Sequence, residues 1–395
     1  MRKFSTFLIV LIIQIAIIYG LYKWYVSYED ETLQVEASNN YSKPTLDTTN
    51  VPKQKDILPT KAITNSNQKI DHSLIDEIIE TANNMPKKGE ANKKTSTKEN
   101  VVAQTDKTKD DKIASWKPLI YKDADWNDIS TLKRSKGAYT GILVDINTRK
   151  VLWAKKCRKS VSIASMTKMM TVLLTFKAIQ KGAISLNTVI PVTNEAYRIG
   201  GSQVWLDPRE KFSLKELLKT VMISSANDSS YLIAQYLGDG DVNNFVKKMN
   251  IKAKEIHMPN AHFSNPDGLP ETYATNDNRA TAEGLVFLAE KLLQYPLVGK
   301  WATTKLDYFR ENTKKEIMLT NTNRLVRENF PGITGMKTGY IRRSGFCLTA
   351  TCNRNGQKLI AVVTGFKSSR ERNKFVGNLL NWGYKKLAPS SPETK

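Results

Sequence analysis

The sequence predicts a mixed α/β fold in which one sheet gathers strands from both ends of a domain whose middle is helical. Three observations support this prediction. An alternating, β-branched run lies at residues 138–156, apolar residues recur at helical spacing over residues 165–294, and two apolar, strand-like runs follow within residues 335–366. Strands from distant parts of the chain must pair across the helical middle. We therefore expect a single sheet with helices packed against it.

The amino terminus predicts a membrane anchor over residues 1–28. Arg2 and Lys3 precede a run from Phe4 to Tyr22 in which only three residues are polar. Roughly 20 apolar residues span a bilayer, and the run ends in aromatic and basic residues that are typical of a membrane interface. No small-residue cleavage site follows it. We expect a single-pass anchor that leaves most of the chain exported, with cleavage of the segment as the alternative.

Composition divides the rest of the chain. Residues 29–115 are rich in Asn, Thr, Lys and Asp and lack the large apolar residues that a core needs, so they predict a mostly disordered linker. Order is expected to begin near Trp116. We predict one folded domain over residues 116–387 and a short tail over residues 388–395.

The chain is strongly basic, with 60 Lys and Arg residues, 38 Asp and Glu residues and a formal net charge of +22. This balance favours anionic surroundings. Because the domain is expected outside the cytoplasm, we exclude nucleic acid as a partner and expect an anionic cell envelope.

The three cysteines, Cys157, Cys347 and Cys352, are predicted to be small buried hydrophobic residues. An odd number leaves at least one thiol unpaired within the chain. Cys347 and Cys352 fall in one predicted strand, on opposite faces and too far apart for a disulfide.

Each element of the domain follows from a local pattern. Polar residues at 147–150 divide the first β-branched run into a hairpin. Gly182 is suited to end the first helix, and the polar turn at 353–356 joins two apolar strands. The predicted helices cover residues 165–182, two segments of 213–240 that meet near 224–229, and residues 242–257, 280–294 and 372–387.

Ser165 and Lys168 place polar groups at the centre of an apolar run, SIASMTKMMTVLL. A serine three residues before a lysine lies on the same helical face. A serine hydroxyl needs a base to become a nucleophile, and a lysine whose pKa is lowered by burial can be that base. The S-x-x-K spacing alone is weak evidence, because most such matches are solvated helix faces. The apolar residues on both sides argue against a solvated face here.

Two further triplets strengthen the S-x-x-K motif. Ser225 and Asn227 form an S-x-N sequence at a junction of helical segments, where a hydroxyl and an amide can face a cleft. Lys337, Thr338 and Gly339 open a strand, and Gly339 would permit a substrate backbone to approach closely. Each triplet alone is typical of a cap or a turn. In this order the three motifs match the element set of serine penicillin-binding proteins and β-lactamases.

Residues 137–387 resemble the low-molecular-mass penicillin-binding proteins, the serine-type D-alanyl-D-alanine carboxypeptidases of the bacterial cell wall. The resemblance extends over the blocks IASMTKMMT, SSANDSS, HFSNPDGLP, GMKTGYIRRSGFCL and LIAVVTG. It implies a three-layer α/β (α+β) fold of the β-lactamase and transpeptidase kind. Such a fold has a five-stranded antiparallel sheet, helices against it, and a helical cluster that forms the other wall of the cleft.

The resemblance also implies a role for each motif residue. Ser165 would attack the carbonyl between two terminal D-alanines to form an acyl-enzyme, with Lys168 as its general base. Ser225 would relay the proton to the leaving amine, and Asn227 would bind the substrate amide and Lys168. Lys337 would orient the substrate and keep Lys168 neutral by like-charge repulsion.

Other residues would bind the reacting peptide. Thr338 would contact the terminal carboxylate, and the backbone N–H groups of Ser165 and Tyr340 would form the oxyanion hole. Arg372 lies where the family has an arginine that assists carboxylate recognition. Arg370 is two residues away and competes for that role, and a surface charge without such a role is the alternative.

The implied function is removal of the terminal D-alanine from peptidoglycan stem pentapeptides, with β-lactams as covalent inhibitors. We expect no cofactor and no metal, because the three histidines and three cysteines show no ligand spacing. A D,D-endopeptidase that cleaves peptidoglycan crosslinks would use the same residues. A non-catalytic penicillin-recognising sensor or scaffold is the alternative of another class, and it would typically have lost Ser165, Lys168 or Lys337. A β-lactamase would need a glutamate around residues 262–268, which contain none.

The expected location is the bacterial cytoplasmic membrane, crossed once, with the catalytic domain outside the cytoplasm. If the anchor is cleaved, the protein would be secreted to the envelope. Nothing in the sequence indicates an oligomeric state.

Overall fold

The computed structural model describes residues 117–121 and 135–388. The anchor predicted over residues 1–28 and the linker predicted over residues 29–115 lie outside the described residues, so both stay predictions. Residues 389–395 of the predicted tail also lie outside. Within the described ranges, no helix combines the length and the apolar character needed to cross a membrane.

Strands at the two ends of the described chain enclose a mainly helical middle. The strands are β1 Thr140–Asp145, β2 Val151–Lys155, β3 Val161–Ser162, β4 Val189–Pro191, β5 Lys211–Ser213, β6 Arg279–Ala280, β7 Leu306–Phe309, β8 Ile317–Thr320, β9 Ile333–Ile341, β10 Gly345–Arg354 and β11 Gln357–Phe366. The α-helices are α1 Lys168–Gln180, α2 Asn194–Arg198, α3 Leu214–Ile223, α4 Asn227–Leu237, α5 Val242–Glu255, α6 Ala282–Leu292, α7 Pro296–Thr303, α8 Arg324–Arg327 and α9 Ser369–Leu387. Short 3-10 turns lie at Ser135–Gly137, Ala164–Thr167 and Ala274–Asn276.

The main sheet has five antiparallel strands in the order β2-β1-β11-β10-β9. The first strand pairs with the last, since Thr140 of β1 lies opposite Thr364 of β11. This pairing confirms the predicted sheet built from distant parts of the chain. The predicted turn between β10 and β11 is also confirmed, with Asn355 and Gly356 both in the left-handed region that a two-residue hairpin loop favours.

Apolar side chains alternate between the two faces of this sheet and fill two cores. On one face lies α9, where the Trp153 ring meets the Phe375 ring edge-on at a centroid distance of 5.4 Å. On the other face α6 packs against β1 and β11, and α1 packs against α6. The β9 strand forms one edge of the sheet and touches the 3-10 turn that precedes α1. The layers therefore bring the start of α1 to the edge strand of the sheet.

Helix starts follow the capping pattern of the sequence. The Ser368 hydroxyl accepts a hydrogen bond from the Glu371 backbone N–H at the start of α9, and Ser213 does the same for Glu216 at the start of α3. Both are S-x-x-E sequences, which satisfy backbone donors that the first helical turn leaves unpaired. Gly182 has the left-handed φ predicted for the end of α1.

The cysteine prediction is confirmed, because Cys157, Cys347 and Cys352 are all buried free thiols. The small pairs β3-β6, β4-β5 and β7-β8 were not predicted. Each strand in them has only two to four residues, too few to show the alternation that identifies a strand.

Candidate active site

The S-x-x-K motif lies where α1 begins. Ser165 is in the 3-10 turn Ala164–Thr167, and Lys168 is the first residue of α1. The prediction that both lie on the helix is thus corrected for Ser165. The two side chains still share a face, because residues three apart eclipse in 3-10 geometry. Lys168 Nζ donates a hydrogen bond to Ser165 Oγ over 3.1 Å. Ser165 is partly accessible and Lys168 is fully buried, so the hydroxyl can meet a ligand while the amine is kept from water.

Burial changes the chemistry of Lys168. Its Nζ also donates to Asn227 Oδ1 and to the backbone oxygen of Asp267, both over 2.6 Å. Burial lowers the pKa of Lys168 to about 8, and the nearby carboxylates of Asp267 and Asp228 limit the decrease. A substantial fraction of this amine is therefore neutral slightly above neutral pH, as a general base requires.

The S-x-N motif lies at the junction between α3 and α4, as predicted. Ser225 has a left-handed φ of 67°, and its hydroxyl accepts a hydrogen bond from Lys337 Nζ over 2.8 Å. Ala164, which precedes Ser165, also has a left-handed φ, of 48°. Non-glycine residues rarely adopt this conformation. Such strain is retained where the surrounding structure enforces it, which is common at active sites.

Ser165–Lys168 and Ser225–Lys337 form two Ser–Lys pairs, in each of which the lysine is buried. The pKa of Lys337 is lowered well below its usual value, by burial first and then by the positive charges of Lys168 and Arg372. The sequence-based expectation assigned like-charge repulsion to Lys168. Repulsion between two lysines acts on both of them, so that expectation stays a prediction. Burial is the largest cause of the lowered pKa at Lys168 and at Lys337, and at Lys168 the carboxylates of Asp267 and Asp228 act in the opposite direction.

Asn227 links Lys168 of α1 to the loop at Gly200 and Gly201. Its Oδ1 accepts from Lys168, and its Nδ2 donates to the backbone oxygen of Gly200 over 2.8 Å. A Cβ on Gly201 would lie 2.6 Å from that Nδ2, so only glycine fits there. The predicted contact with Lys168 is present. The role of the Gly200–Gly201 loop was missed, although paired glycines were a visible signal for a close approach.

A second missed segment lies under Ser165. Gly268 has a φ of 88°, and a Cβ on it would lie 2.1 Å from the backbone oxygen of Ala164. The preceding residue, Asp267, supplies the backbone acceptor for Lys168. The sequence NPDG signals a turn, but its contact with the S-x-x-K motif is long-range and has no local signature.

Gly339 of the K-T-G motif lies in β9. A Cβ there would lie 2.7 Å from the backbone oxygen of Ile163 and 3.3 Å from Ala164 Cβ. Substrate approach was the predicted reason for this glycine. The structure shows a close approach by the chain's own turn before Ser165, and the approach of a substrate backbone stays a prediction. Tyr340, the predicted oxyanion donor, follows in the same edge strand, whose outer side pairs with no strand in the part of the chain that the structure describes.

Thr338 and Arg372 were predicted to bind a carboxylate. The Thr338 hydroxyl donates to Thr322 Oγ1 over 2.7 Å, so Thr322 is a further residue that the sequence did not indicate. Arg372 is buried at the start of α9, and its Nη1 donates to the backbone oxygen of Cys347 over 3.0 Å. Arg370 is exposed on the same helix. Burial therefore favours Arg372 over Arg370 and argues against a surface charge.

The arrangement supports nucleophilic chemistry at Ser165. A partly accessible hydroxyl contacts a buried amine of lowered pKa, and a second Ser–Lys pair can pass a proton. Within the described residues, no three His, Cys, Asp or Glu side chains are grouped so that they could hold a metal ion.

Comparison with known proteins identifies a family that matches this chain. The model of the family described as D-alanyl-D-alanine carboxypeptidase matches residues 129–368, more than half of the chain. D-alanyl-D-alanine carboxypeptidase DacF of Bacillus subtilis is 39% identical over 247 residues, which are 62% of this chain and 62% of that protein. A D-alanyl-D-alanine endopeptidase of Pseudomonas aeruginosa is 30% identical over 236 residues, which are 58% of this chain and 73% of that protein.

Solved structures share the fold. Penicillin binding protein 5 of Haemophilus influenzae superposes with a TM-score of 0.59 at 27% identity, covering 63% of this chain and 71% of its own. The first curated relatives are matched over less than two thirds of their own length.

Proposed function

This chain belongs to the D-alanyl-D-alanine carboxypeptidase family, and on that premise we propose that it is a serine-type D-Ala-D-Ala carboxypeptidase. Its substrate would be the peptidoglycan stem pentapeptide, from which it releases the terminal D-alanine. The observation that supports this most directly is the hydrogen bond of 3.1 Å between Ser165 Oγ and the buried Lys168 amine.

The hydrogen bonds of Lys168 suggest how the amine works as a base. A neutral amine has two N–H donors and one lone pair. Asn227 Oδ1 and the Asp267 backbone oxygen can occupy the two donors at 2.6 Å each. The lone pair is then left facing Ser165. Loss of one proton thus converts Lys168 from a donor into an acceptor for the Ser165 hydroxyl, with its other contacts retained.

The reaction would proceed in two steps. Ser165 Oγ attacks the penultimate carbonyl while its proton passes to Lys168, and the resulting oxyanion is bound by the backbone N–H groups of Ser165 and Tyr340. The C–N bond breaks as the proton taken up by Lys168 is relayed through the Ser225 hydroxyl, held by Lys337 at 2.8 Å, to the leaving D-alanine amine, so that Lys168 and Ser225 both return to their starting protonation states. Water then attacks the acyl-enzyme and regenerates the Ser165 hydroxyl. Thr338 and Arg372 would hold the terminal carboxylate.

A fluorescent penicillin tests the proposal, because a β-lactam acylates the same hydroxyl. We expect the purified chain to form one covalent adduct, and Ser165→Ala to form none. Ser162→Ala is the matched control, since Ser162 donates to Asp277 Oδ2 and lies outside the motif. An adduct that survives in Ser165→Ala, or the absence of any adduct in the unaltered chain, would show that Ser165 is not the nucleophile.

Crosslink cleavage is the second candidate function, and the endopeptidase relative of Pseudomonas aeruginosa favours it. The same nucleophile and base would serve both reactions. Release of D-alanine from a pentapeptide, compared with cleavage of a crosslinked peptide dimer, separates them. Faster cleavage of the dimer would replace the carboxypeptidase assignment with the endopeptidase one.

Membrane anchoring belongs to this proposal as well. The apolar run from Phe4 to Tyr22 supports a single-pass anchor with the domain outside the cytoplasm. We expect the full chain to remain with membranes after a high-salt wash, and a chain lacking residues 1–28 to be released. Release of the full chain by that wash would refute the anchor.

A further inference from the structure

Arg372 is a buried cation held only by neutral groups. Its side chain lies at the start of α9 and is 3% exposed. The guanidinium donates to the Cys347 backbone oxygen through Nη1, at 3.0 Å, and to Asn373 Oδ1 through Nε and Nη2, at 3.1 and 2.9 Å. No carboxylate pairs with it within the part of the chain that the structure describes. A buried charge without a counter-charge is costly, so its retention calls for a reason.

Asn373, which accepts hydrogen bonds from Arg372, adds to the free-energy cost of burying this cation. A guanidinium has donors only, so the Asn373 oxygen must face Arg372 and the amide nitrogen must point away. That nitrogen is buried and finds no hydrogen-bond partner among the described residues. Aspartate has nearly the same shape and would remove the unpaired donor while adding a counter-charge. Asn373 therefore leaves the guanidinium without the counter-charge that aspartate would supply.

An uncompensated charge here lies beside the candidate active site. Cys347 of β10, which accepts from Arg372, pairs with Gly339 of β9 in the K-T-G motif. The guanidinium has five N–H donors, of which the three contacts named above use three. Two donors and the full positive charge are left for a ligand. A carboxylate matches the planar geometry of those donors.

We propose that Asn373 is a positioning residue that fixes the Arg372 guanidinium without neutralising it, so that the charge is reserved for the carboxylate of the substrate. This inference rests on the proposed function, since the carboxylate it invokes is that of the terminal D-alanine. Asn373 itself does not contact the substrate in this proposal. Its neutral amide sets how strongly the site prefers an anionic ligand.

The test compares two peptides that end in D-Ala-D-Ala, one with a free carboxylate and one with a carboxyl-terminal amide. We expect the wild-type chain to prefer the carboxylate in kcat/KM. Asn373→Asp should reduce that preference about 10–100-fold, the usual range for the loss of a charge-assisted contact. The same substitution should raise the melting temperature, because the unpaired amide is removed and an ion pair forms. A merely structural role would not lower the preference while raising stability.

Asn381→Asp is the matched control. Asn381 lies on the same helix, and its Oδ1 accepts from Arg354 over 2.8 Å at an exposed position. It adds the same charge next to another arginine, and it should leave the preference unchanged. In an Arg372→Gln background, Asn373→Asp should have no further effect on the preference, because the two residues act as one unit.

The outcomes separate the inference from the function on which it rests. If wild type cleaves neither peptide, the proposed function is wrong and this inference with it. If wild type prefers the carboxylate and Asn373→Asp retains that preference, only the inference is overturned. Asn373→Leu serves if Asn373→Asp does not fold. It removes the hold on the guanidinium without adding a charge, so the preference should again fall, and an unchanged preference would contradict the proposal.

Discussion

Three hydrogen-bond acceptors orient the Lys168 amine for the role of general base. The acceptors are Ser165 Oγ, Asn227 Oδ1 and the Asp267 backbone oxygen, all within 3.1 Å of Nζ. An ammonium satisfies all three, and a neutral amine satisfies two and directs its lone pair at the serine. The protonation state of Lys168 therefore decides whether the Ser165 hydroxyl accepts a hydrogen bond from an ammonium or donates one to a neutral amine that can take its proton.

Lys168→Arg tests this role directly. Arginine keeps the positive charge but does not deprotonate near neutral pH. We expect penicillin acylation to slow by about 100-fold or more, the usual contribution of a general base. Lys177→Arg is the control, because Lys177 lies near the other end of the same helix and donates to the Gln180 side chain at an exposed position. Acylation at the wild-type rate in Lys168→Arg would assign the base to another group.

Acylation should also depend on pH in a defined direction. The base must be neutral, and the pKa of Lys168 is about 8, lowered mainly by burial. Below that value the neutral fraction falls about tenfold for each pH unit, so the second-order acylation rate should be about tenfold lower at pH 7 than on the plateau above pH 9. Stopped-flow or gel-based acylation rates between pH 6 and pH 9 measure this. A rate that stays flat over that range would contradict the assignment.

At the scale of elements, the site depends on how closely the edge strand β9 approaches the turn before α1. Gly339 makes the approach possible, because any side chain there would meet the Ile163 backbone oxygen at 2.7 Å. The strand thereby brings Lys337 to Ser225. The geometry of the two Ser–Lys pairs is thus set by a contact between backbones.

Gly339→Ala should disturb that contact. The added methyl group must push β9 and the turn apart, and a displacement of about 1 Å in an active site can reduce rates about 100-fold. We expect slower acylation and a free energy of unfolding lower by about 1–3 kcal/mol. Acylation kinetics and chemical denaturation measure the two effects.

Gly299→Ala is the control for this substitution. Gly299 lies in α7, and a Cβ there would have no atom within 4 Å. It should raise the free energy of unfolding by about 0.4–1 kcal/mol and leave acylation unchanged. If both substitutions changed acylation and the free energy of unfolding equally, the close contact at Gly339 would not be what positions the site.

At the scale of the whole molecule, the sheet separates two cores. The candidate active site lies with the helical cluster on one face and at the edge, while α9 covers the other face. Arg372 is the exception, since it starts α9 and reaches Cys347 of the sheet. Stability and catalysis can therefore be changed separately in much of the α9 core.

Leu380→Ala tests this separation. Leu380 lies on α9 with its side chain fully buried in the core between that helix and the sheet, and its truncation should lower the free energy of unfolding by about 2–5 kcal/mol. The folded protein should be acylated at the wild-type rate. Lys374→Ala, at an exposed position of the same helix, should change neither quantity. A large loss of acylation rate in folded Leu380→Ala would show that the two faces are coupled.

Local sequence patterns predicted the elements and the motif residues of this protein. Periodicity identified the hairpin, the long helices and the paired strands, because these depend on which residues face a core. The spacing and order of S-x-x-K, S-x-N and K-T-G predicted the residues that meet. No periodicity or motif signalled three other features: the short strands, the Gly268 contact and the Thr322 partner of Thr338. These features depend on contacts between distant segments of the chain.

Motif order and spacing, together with the resemblance they carry, were enough to predict the family, the five-stranded sheet, and the serines and lysines of the candidate site. Folding was needed to show that burial lowers the pKa of both Lys168 and Lys337, and that Arg372, which is buried, is favoured over Arg370. The reason is physical: a residue type fixes which groups are available, whereas a pKa and an uncompensated charge depend on the neighbours that folding places around them.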